Sequence, residues 1–211
     1  MTDGLSLALL ATRSAAATLI ENREELCDLD SVAGDGDHGF AMAAAATGVL
    51  ARLDAAPPPS GEALLVVVGE EFATVGGSMG ALLSVAVEAA AASAAEGAGT
   101  TCAESVGAML GAAQAAIEDL GGARPGDKTL LDAMVAARAA ASACDTADSP
   151  AQVLRRAADA ARAGAESTAD MAARVGRASR LGDRALGSPD AGATSFALIL
   201  DAVASAYARG V

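Results

Sequence analysis

Apolar residues recur along this chain at a spacing of about 3.6, the period of an amphipathic α-helix, and no segment of useful length alternates as a half-buried strand would. The pattern predicts about eight helices and a shorter helical turn near residues 172–183. The predicted helices span residues 4–27, 38–54, 61–75, 80–96, 101–120, 128–144, 150–168 and 193–209. Amphipathic helices joined by short loops favour an antiparallel bundle or barrel.

Glycine-rich breaks separate several of these helices. They lie at residues 28–37, 76–80, 121–128 and 180–192, whereas the proline-rich break at 56–61 has the composition of a plain connection. In an up-and-down order, alternate loops share one end of a bundle. We therefore expect an all-α, single-domain fold over residues 1–211, a barrel of about eight antiparallel amphipathic helices with a backbone-rich pocket at one end.

The composition supports closely packed helices. The hydrophobic fraction is 53%, but alanine dominates it, aromatic residues make up 2% and tryptophan is absent. Alanine is the best helix former, whereas strands favour β-branched and aromatic side chains. The longest apolar run, residues 81–98, contains Glu88 and Glu96 and has no basic flanks, so we predict no membrane span.

Charge and cysteine usage narrow the possible partners and the compartment. The net charge is −13, with 27 acidic against 14 basic residues, so nucleic acid and anionic lipid would be repelled. A phosphorylated ligand could bind only together with metal cations or next to basic side chains of the protein. The three cysteines are odd in number and widely spaced, which fits buried thiols, and the N-terminus lacks the basic region of a secretory signal. We expect a cytoplasmic protein.

The stretch VAGDGDHGFAMAA, residues 32–44, is the most unusual segment. Its glycines match G-x-G-x-x-G, but a dinucleotide fingerprint presents bare backbone to pyrophosphate after a strand. Here Asp35 and Asp37 lie inside the loop, the preceding segment has a helical pattern, and two carboxylates would repel the phosphates. An EF-hand is also excluded, because the acids have the wrong spacing and no glutamate stands at the twelfth position.

A site for a hard cation remains. Asp30, Asp35 and Asp37 supply three carboxylates that the glycines allow to point at one spot. Carboxylates held within ~4 Å would repel by several kcal/mol per pair at an effective dielectric constant near 20, so cations or protons must accompany them. Mg²⁺ fits best, because it is held by a few carboxylates together with substrate phosphates. A solvated acidic turn that caps a helix stays open, as does an ordinary first-turn role for His38.

Two other breaks are candidates for phosphate contacts. GGARPGDKT, residues 121–129, misses the P-loop pattern by one residue, since Asp127 separates Gly126 from Lys128, and no strand precedes it. VGGSMG, residues 75–80, joins two helices, so its amides could bind phosphate at a helix N-terminus. Each segment could equally be a plain connection.

The segment 171–195 concentrates positive charge in an otherwise acidic protein. It holds four arginines, Arg174, Arg177, Arg180 and Arg184. Such a cluster can clamp phosphate oxygens and stabilise charge during phosphoryl transfer. It could also be a surface loop paired with the many acids. The sequence alone leaves both interpretations open.

Taken together and in this order, four motifs resemble the nucleotide-binding L subunit (DhaL type) of dihydroxyacetone kinases. They are LDSVAGDGDHG, VGGSMGALLS, RPGDKTLLDAM and ARVGRASRLGDRALGSPDAGATS, and the resemblance runs from about residue 26 to 205. It implies an all-helical barrel of eight antiparallel helices, with an adenine nucleotide (ADP or ATP) and two Mg²⁺ ions at one end. It also implies a K subunit as partner, which holds dihydroxyacetone covalently on its own histidine.

The resemblance implies roles for individual residues. Asp30, Asp35 and Asp37 would be the metal ligands, and Arg177 and His38 are the catalytic candidates. The expected nucleotide contacts are His38, Gly39, Phe40, Ala41, Ser78, Met79, Gly121, Leu130, Arg177, Asp190, Ala191 and Gly192. Three positions depart from the family pattern: Met79 replaces a usual serine, Ala41 a common asparagine, and Arg180 a frequent tyrosine.

The implied reaction is phosphoryl transfer from a Mg-bound nucleotide to a ketose hydroxyl on another subunit, which would also supply the general base. The free-standing length resembles the phosphotransferase-system type, in which ADP stays bound and a phosphohistidine donor protein recharges it. An ATP-dependent kinase subunit for another small ketose, such as erythrulose, is an alternative. A non-catalytic, nucleotide-binding regulatory module is another, although retention of all three acids favours catalysis.

Overall fold

The computed structural model describes residues 4–97 and 99–210, and within these ranges the regular structure is helical, with no strand. The helices are α1 Gly4–Glu21, α2 Arg23–Ala33, α3 His38–Ala55, α4 Gly61–Thr74, α5 Gly77–Ala95, α6 Cys102–Gly121, α7 Leu130–Ser142, α8 Pro150–Ser167 and α9 Ala191–Gly210. Short 3₁₀ segments at Thr168–Asp170 and Ala178–Ala185 lie between α8 and α9. The all-α prediction is confirmed.

The helices form a closed ring. From α3 to α9 each helix packs against the next one in the chain, and α1 closes the ring by packing against both α9 and α3. The short helix α2 is added at one corner, where it packs on α3. Most consecutive ring helices are joined by short loops, which makes them antiparallel. The predicted barrel is therefore confirmed, with α2 as an extra element.

The first predicted helix, 4–27, is divided in the structure at Asn22. The side-chain Nδ2 of Asn22 donates a hydrogen bond to the Thr18 carbonyl at 2.8 Å, and its backbone N–H donates to the same oxygen at 3.0 Å. Asparagine has a low helix propensity, because its side chain can bond to nearby backbone groups, and Asn22 lies between the two helices. The chain turns there and continues as α2, which ends at Ala33 and therefore carries Asp30 within a helix.

Alanine fills the core of the barrel. The largest cluster of buried apolar residues joins α6, α7, α8 and α9 and consists mostly of alanine. Ala137, Ala157 and Ala161 are 0% exposed. Because the alanine side chain is a single methyl group, neighbouring helices approach closely without large side chains between them. This packing explains how the chain builds a core with so few aromatic residues.

Helices α5 and α9 are each long and apolar enough, by length and composition alone, to cross a membrane. Both are members of the ring, since α5 packs against α4 and α6, and α9 packs against α8 and α1. Buried helices of a helical core commonly have such composition. We therefore assign both helices to the barrel.

Candidate active site at one end of the barrel

A cavity of ≈400 Å³ opens at the end of the barrel where the α2–α3, α4–α5, α6–α7 and α8–α9 connections meet. Small-molecule sites typically span about 300–1,000 Å³, so the cavity is large enough for a nucleotide-sized ligand. The four glycine-rich breaks of the sequence all contribute to its walls. Among the residues predicted to bind ligand, those that line the cavity are Asp30, Asp37, His38, Ala41, Ser78, Met79, Gly121, Leu130, Arg177, Asp190, Ala191 and Gly192.

The three aspartates meet at this end of the barrel. One carboxylate oxygen from each of Asp30, Asp35 and Asp37 lies within 4.8 Å of the others. Helix α2 positions Asp30, whose Oδ2 accepts hydrogen bonds from the backbone N–H groups of Asp37 at 3.0 Å and His38 at 3.4 Å. These bonds hold the loop against the end of α2, so the carboxylates converge because the loop is folded back.

Two glycines make this turn possible. A Cβ atom at Gly34 would overlap the Asp30 carboxylate, so only glycine leaves that side chain in place. Gly36 has a φ of 75°, in the left-handed region that other residues rarely adopt. The predicted function of these glycines, to let the chain turn tightly between the acids, agrees with this geometry.

The aspartate cluster fits a hard cation in its donor chemistry. Carboxylate oxygens are the ligands that Mg²⁺ prefers, and octahedral coordination at about 2.0–2.1 Å places ligand oxygens at most about 4.2 Å apart. The observed spacing, up to 4.8 Å, needs only a small side-chain movement to meet that limit. Asp35 and Asp37 are exposed, so solvent and ligand phosphates can complete a coordination shell.

Arg177 is the basic residue in contact with this cluster. Its Nη1 pairs with Asp35 Oδ2, and its Nη2 lies 3.9 Å from Asp37 Oδ1. The guanidinium is thus within reach of both the acids and the cavity that it helps to line. Arg177 neutralises part of the negative charge in this arrangement, and it can contact phosphate oxygens when a cation takes over that role.

His38 connects the first turns of α3 and α9. It is 6% exposed, and its Nε2 lies 3.0 Å from Ser195 Oγ, which donates its own proton to the Gly192 carbonyl at 3.0 Å. Burial lowers the pKa of His38 more than the charge of Asp30 and a hydrogen bond with the Ala191 backbone raise it. These contacts with Ser195 and the Ala191 backbone hold the ring between α3 and α9, and the catalytic role stays a prediction.

The floor of the cavity contains a buried lysine and an aspartate. Lys128 is 6% exposed, and its Nζ donates hydrogen bonds to the backbone carbonyls of Thr168 at 2.5 Å and Ser188 at 2.7 Å. Asp190 Oδ1 accepts from the Ala193 N–H at 2.7 Å and so caps α9. Burial raises the pKa of Asp190 to about 6, although that hydrogen bond and the charge of Lys128 act in the opposite direction.

One wall of the cavity is apolar and depends on glycine. Leu82, Leu130 and Met79 line it. A Cβ atom at Gly121 would lie 3.0 Å from Leu82 Cδ2, and one at Gly192 would lie 2.8 Å from Met79 Cε. Glycine at both positions therefore leaves the apolar surface open, as a site for a flat aromatic ring requires.

The structure does not bring Gly39 and Phe40 into the cavity lining, contrary to the expectation that both contact the nucleotide. A Cβ atom at Gly39 would overlap the Arg23 carbonyl oxygen, so this glycine serves the close packing of α3 on α2. The Phe40 side chain is 59% exposed, and the guanidinium of Arg23 lies 5.3 Å from its ring centroid. Helical periodicity turns Phe40 to the outside, and only the backbone amides of these residues remain as predicted contacts.

Sequence reasoning missed the roles of Lys128, Thr168 and Ser195. Lys128 was considered only as part of a near P-loop segment or of a plain connection, yet its side chain is buried at the cavity floor. One signal was present, since Lys128 is the only lysine among the 14 basic residues of the chain. Thr168 and Ser195 gave no comparable signal, because a buried hydroxyl that bonds to backbone has no fixed sequence pattern.

Comparisons with known proteins show which family and which solved fold this chain is similar to. The model of a family described as the DAK2 domain matches residues 32–205. L-erythrulose 1-kinase of Mycolicibacterium smegmatis is 40% identical over 193 residues, which cover 90% of this chain and 33% of that protein. Human triokinase/FMN cyclase is 36% identical over 136 residues, which cover 62% of this chain and 22% of that protein.

A solved structure shares the fold over nearly the whole chain. The crystal structure of the dihydroxyacetone kinase from C. freundii in complex with AMP-PNP and Mg²⁺ has a TM-score of 0.76 and 31% sequence identity to this chain. The similarity covers 97% of this chain and 34% of that one. The chain thus spans about a third of the length of L-erythrulose 1-kinase and of this solved kinase.

Proposed function

The chain belongs to the DAK2 domain family, and from that premise we propose that it is the nucleotide-binding component of a kinase that phosphorylates a small ketose. In this proposal it binds ADP or ATP with Mg²⁺ in the cavity, and a phosphoryl group passes to a hydroxyl of dihydroxyacetone held by a separate K-type partner. Kinase relatives support the reaction class, and the similar fold solved with AMP-PNP and Mg²⁺ supports the ligands.

The observation that carries this proposal is the position of three carboxylates beside a nucleotide-sized cavity. A chain with a net charge of −13 repels polyphosphate, and Asp30, Asp35 and Asp37 add to that repulsion exactly where a ligand would enter. This arrangement is unfavourable for an anionic ligand unless cations come with it. Bound there, Mg²⁺ would neutralise phosphate charge and orient the transferred group.

Helix N-termini supply donors for the phosphates. Helices α4, α6, α7 and α8 begin with a side-chain cap, but in the described part of the chain α3 and α5 begin at the cavity without one. Their N-caps are Asp37 and Gly76. The His38 N–H at the start of α3 already donates to Asp30 Oδ2, so the following N–H groups of α3, those of the α5 N-terminus and the partial positive charge of both helix ends are what remains for anions. Ser78 and Met79 lie in the first turn of α5, so a backbone contact there does not depend on the serine usual at position 79.

The remaining residues position the nucleotide. We assign the apolar wall at Leu82 and Leu130 to the adenine ring, because stacking on aliphatic side chains needs an open flat surface. With Mg²⁺ held by the aspartates, Arg177 would be released from Asp35 to donate hydrogen bonds to phosphate oxygens, and it would stabilise there the charge that develops during transfer. The general base comes from the partner, since His38 is held by Ser195.

The acceptor is chosen by the K-type partner, so this chain does not set the ketose. Dihydroxyacetone is the acceptor we propose, and erythrulose is the second candidate because relatives named as erythrulose kinases are 34–40% identical to this chain. Co-purification of this protein with its partner, followed by turnover measurements on both ketoses, separates them. A preference for erythrulose would replace the first assignment.

The phosphoryl donor requires a separate experiment. We propose that ADP stays bound and is recharged by a phosphohistidine protein of the phosphotransferase system, with direct use of ATP as the alternative. Mass measurement of nucleotide retained after purification, and steady-state turnover with ATP alone or with a phosphoenolpyruvate relay, distinguish the two. Turnover with ATP alone would establish the alternative. We expect the reaction to take place in the cytoplasm.

Mutation of a metal ligand tests the proposed metal site most directly. Asp35→Asn should reduce turnover with the co-purified partner by about 100-fold or more, because a carboxylate ligand and its charge are lost. Asp28→Asn, which removes an exposed charge from α2, is the matched control and should have little effect. Unaltered turnover in Asp35→Asn would refute the enzymatic role and favour the non-catalytic regulatory module, in particular if partner association is unchanged.

A further inference from the structure

Lys128 has an environment that a surface lysine would not have. It is the only lysine in a chain that otherwise uses arginine, and it is 6% exposed. Its backbone φ is 62°, which is rare for a residue with a side chain, so the chain turns there to direct Lys128 inward. Such a conformation persists only where the surrounding contacts favour it.

The two acceptors of Lys128 lie at opposite ends of one segment. The carbonyls of Thr168 and Ser188 are 20 residues apart, and Nζ bonds to both. Two further hydrogen bonds join the same ends, from Asp190 N–H to Thr168 Oγ1 at 2.8 Å and from Gly187 N–H to the Ala169 carbonyl at 2.9 Å. The residues between them therefore form a closed loop, and this loop carries Arg177.

We propose that Lys128 is a positioning residue that holds the two ends of the segment 169–187 together and thereby places Arg177 over the aspartate cluster. The proposal extends the proposed function, because a correctly placed Arg177 matters most when a nucleotide is bound. Lysine suits this task because its compact ammonium group has three donors and can bond to two carbonyls at once. Burial lowers the pKa of Lys128, and the nearby acids Asp190, Asp170 and Asp132 act in the opposite direction.

A direct role in phosphate binding is a weaker interpretation of the same lysine. In a P-loop the lysine reaches toward the phosphates as a free cation. Here two of its donors are used by backbone carbonyls at 2.5 Å and 2.7 Å, so the ammonium is directed toward the loop ends. The loop is further joined to the α6–α7 connection by the Arg174 N–H, which donates to the Asp127 carbonyl at 3.2 Å.

A single lysine makes the first test direct. Acylation by an amine-reactive ester, followed by peptide mass mapping, reports the accessibility of Lys128 without interference from other lysines. We expect Lys128 in the folded, nucleotide-free wild-type protein to react at least about tenfold more slowly than in urea. Reaction at the same rate in both conditions would overturn the proposal, because Nζ would then not be held by the loop.

The second test uses Lys128→Met with Arg138→Met as the matched control, since Arg138 is an exposed basic residue on α7. Trypsin cleaves after arginine, and the loop contains Arg174, Arg177, Arg180 and Arg184. Lys128→Met should speed cleavage within the loop by about tenfold and leave cleavage after Arg52 unchanged. Equal acceleration at all sites would show general destabilisation and overturn a specific positioning role, as would wild-type cleavage rates.

Nucleotide affinity completes the test. Calorimetric titration with ADP and Mg²⁺ should show about tenfold weaker binding by Lys128→Met and no change in Arg138→Met. Wild-type affinity in Lys128→Met would contradict the link between the loop and Arg177. If the wild-type protein itself binds no ADP, the proposed function fails, whereas acylation and cleavage rates still decide whether Lys128 holds the loop.

Discussion

The guanidinium of Arg177 neutralises part of the negative charge of the three aspartates. The same carboxylates are suited to bind a metal cation. Arg177 contacts Asp35 and lies 3.9 Å from Asp37. Cation binding at these acids must displace the guanidinium or compete with its charge. The same guanidinium is available to phosphate once it has moved. Removal of Arg177 should therefore have opposite effects on the metal alone and on the nucleotide.

We predict that Arg177→Met binds Mn²⁺, used as a paramagnetic substitute for Mg²⁺, about threefold or more tightly than the wild type in the absence of nucleotide. The same variant should bind ADP with Mg²⁺ about tenfold more weakly, because a charged hydrogen-bond donor to phosphate is lost. Electron paramagnetic resonance and calorimetry measure the two affinities. A change in the same direction for both ligands would contradict this account of Arg177.

Asp190 should make stability depend on pH. Burial raises its pKa from 3.8 to about 6 in the folded protein. The folded state therefore keeps a proton that the unfolded chain has lost between these values. The resulting stabilisation is fully present below about pH 3.8 and is lost as the pH rises through about 6.

Asp190→Asn removes this titration while keeping a side chain that caps α9. Relative to the wild type, the variant should gain about 1–3 kcal/mol in the free energy of unfolding between pH 4 and pH 7. Urea unfolding of both proteins at several pH values measures the difference. A difference that does not change with pH would show that Asp190 titrates at its ordinary value.

At the level of helices, hydrophobic periodicity located the ring but not all of its ends. The pattern predicted one helix over 4–27, whereas the structure divides it at Asn22, because the pattern of apolar residues continues across the turn. Helix α5 begins at Gly77, earlier than predicted, since glycines were taken as a break although they can lie in a first helical turn. Periodicity records which face is buried and contains little information on such local contacts.

Gly39 shows that a glycine required for helix packing can be mistaken, in the sequence, for a glycine that contacts a ligand. It was expected to contact phosphate, but its lack of a side chain lets α3 approach the Arg23 carbonyl of α2. We predict that Gly39→Ala lowers the free energy of unfolding by about 1–3 kcal/mol, because the added methyl group overlaps backbone. Thermal or urea unfolding measures this change.

Gly61→Ala is the control for Gly39→Ala. Gly61 is the first residue of α4, and a Cβ atom there would have open space around it. This variant should be as stable as the wild type or up to about 1 kcal/mol more stable. Equal stability of Gly39→Ala and the wild type would mean that α2 moves aside easily, and the packing role would then be wrong.

The part of the candidate site that could be predicted from the sequence is the cluster of negative charge. Three acids among glycines could be identified from the sequence because their mutual repulsion demands an explanation, and the structure places their oxygens within 4.8 Å of each other. Lys128 was not identified, because its role depends on two backbone carbonyls that are distant from it in sequence. Long-range contacts to backbone carry no residue pattern, so only the folded chain shows them.

At the scale of the whole molecule, the barrel brings segments that are distant in sequence together at one end. Four connections between helices meet around the cavity. In the described part of the chain, the N-termini of α3 and α5 lie there without a side-chain cap, and the carboxylates of the three aspartates lie beside them. The overall charge of −13 disfavours the approach of an anionic ligand. The central claim is therefore that polyphosphate binds tightly at this end only when the aspartates hold cations there.

The most direct test of this claim is the affinity of the purified protein for ADP with Mg²⁺ and in excess chelator, measured by calorimetry for the wild type and for Asp30→Asn. We predict that removal of Mg²⁺ weakens ADP binding by the wild type on the order of 100-fold, and that Asp30→Asn loses most of this dependence on the metal. Equal affinity of the wild type for ADP with and without Mg²⁺ would contradict the claim.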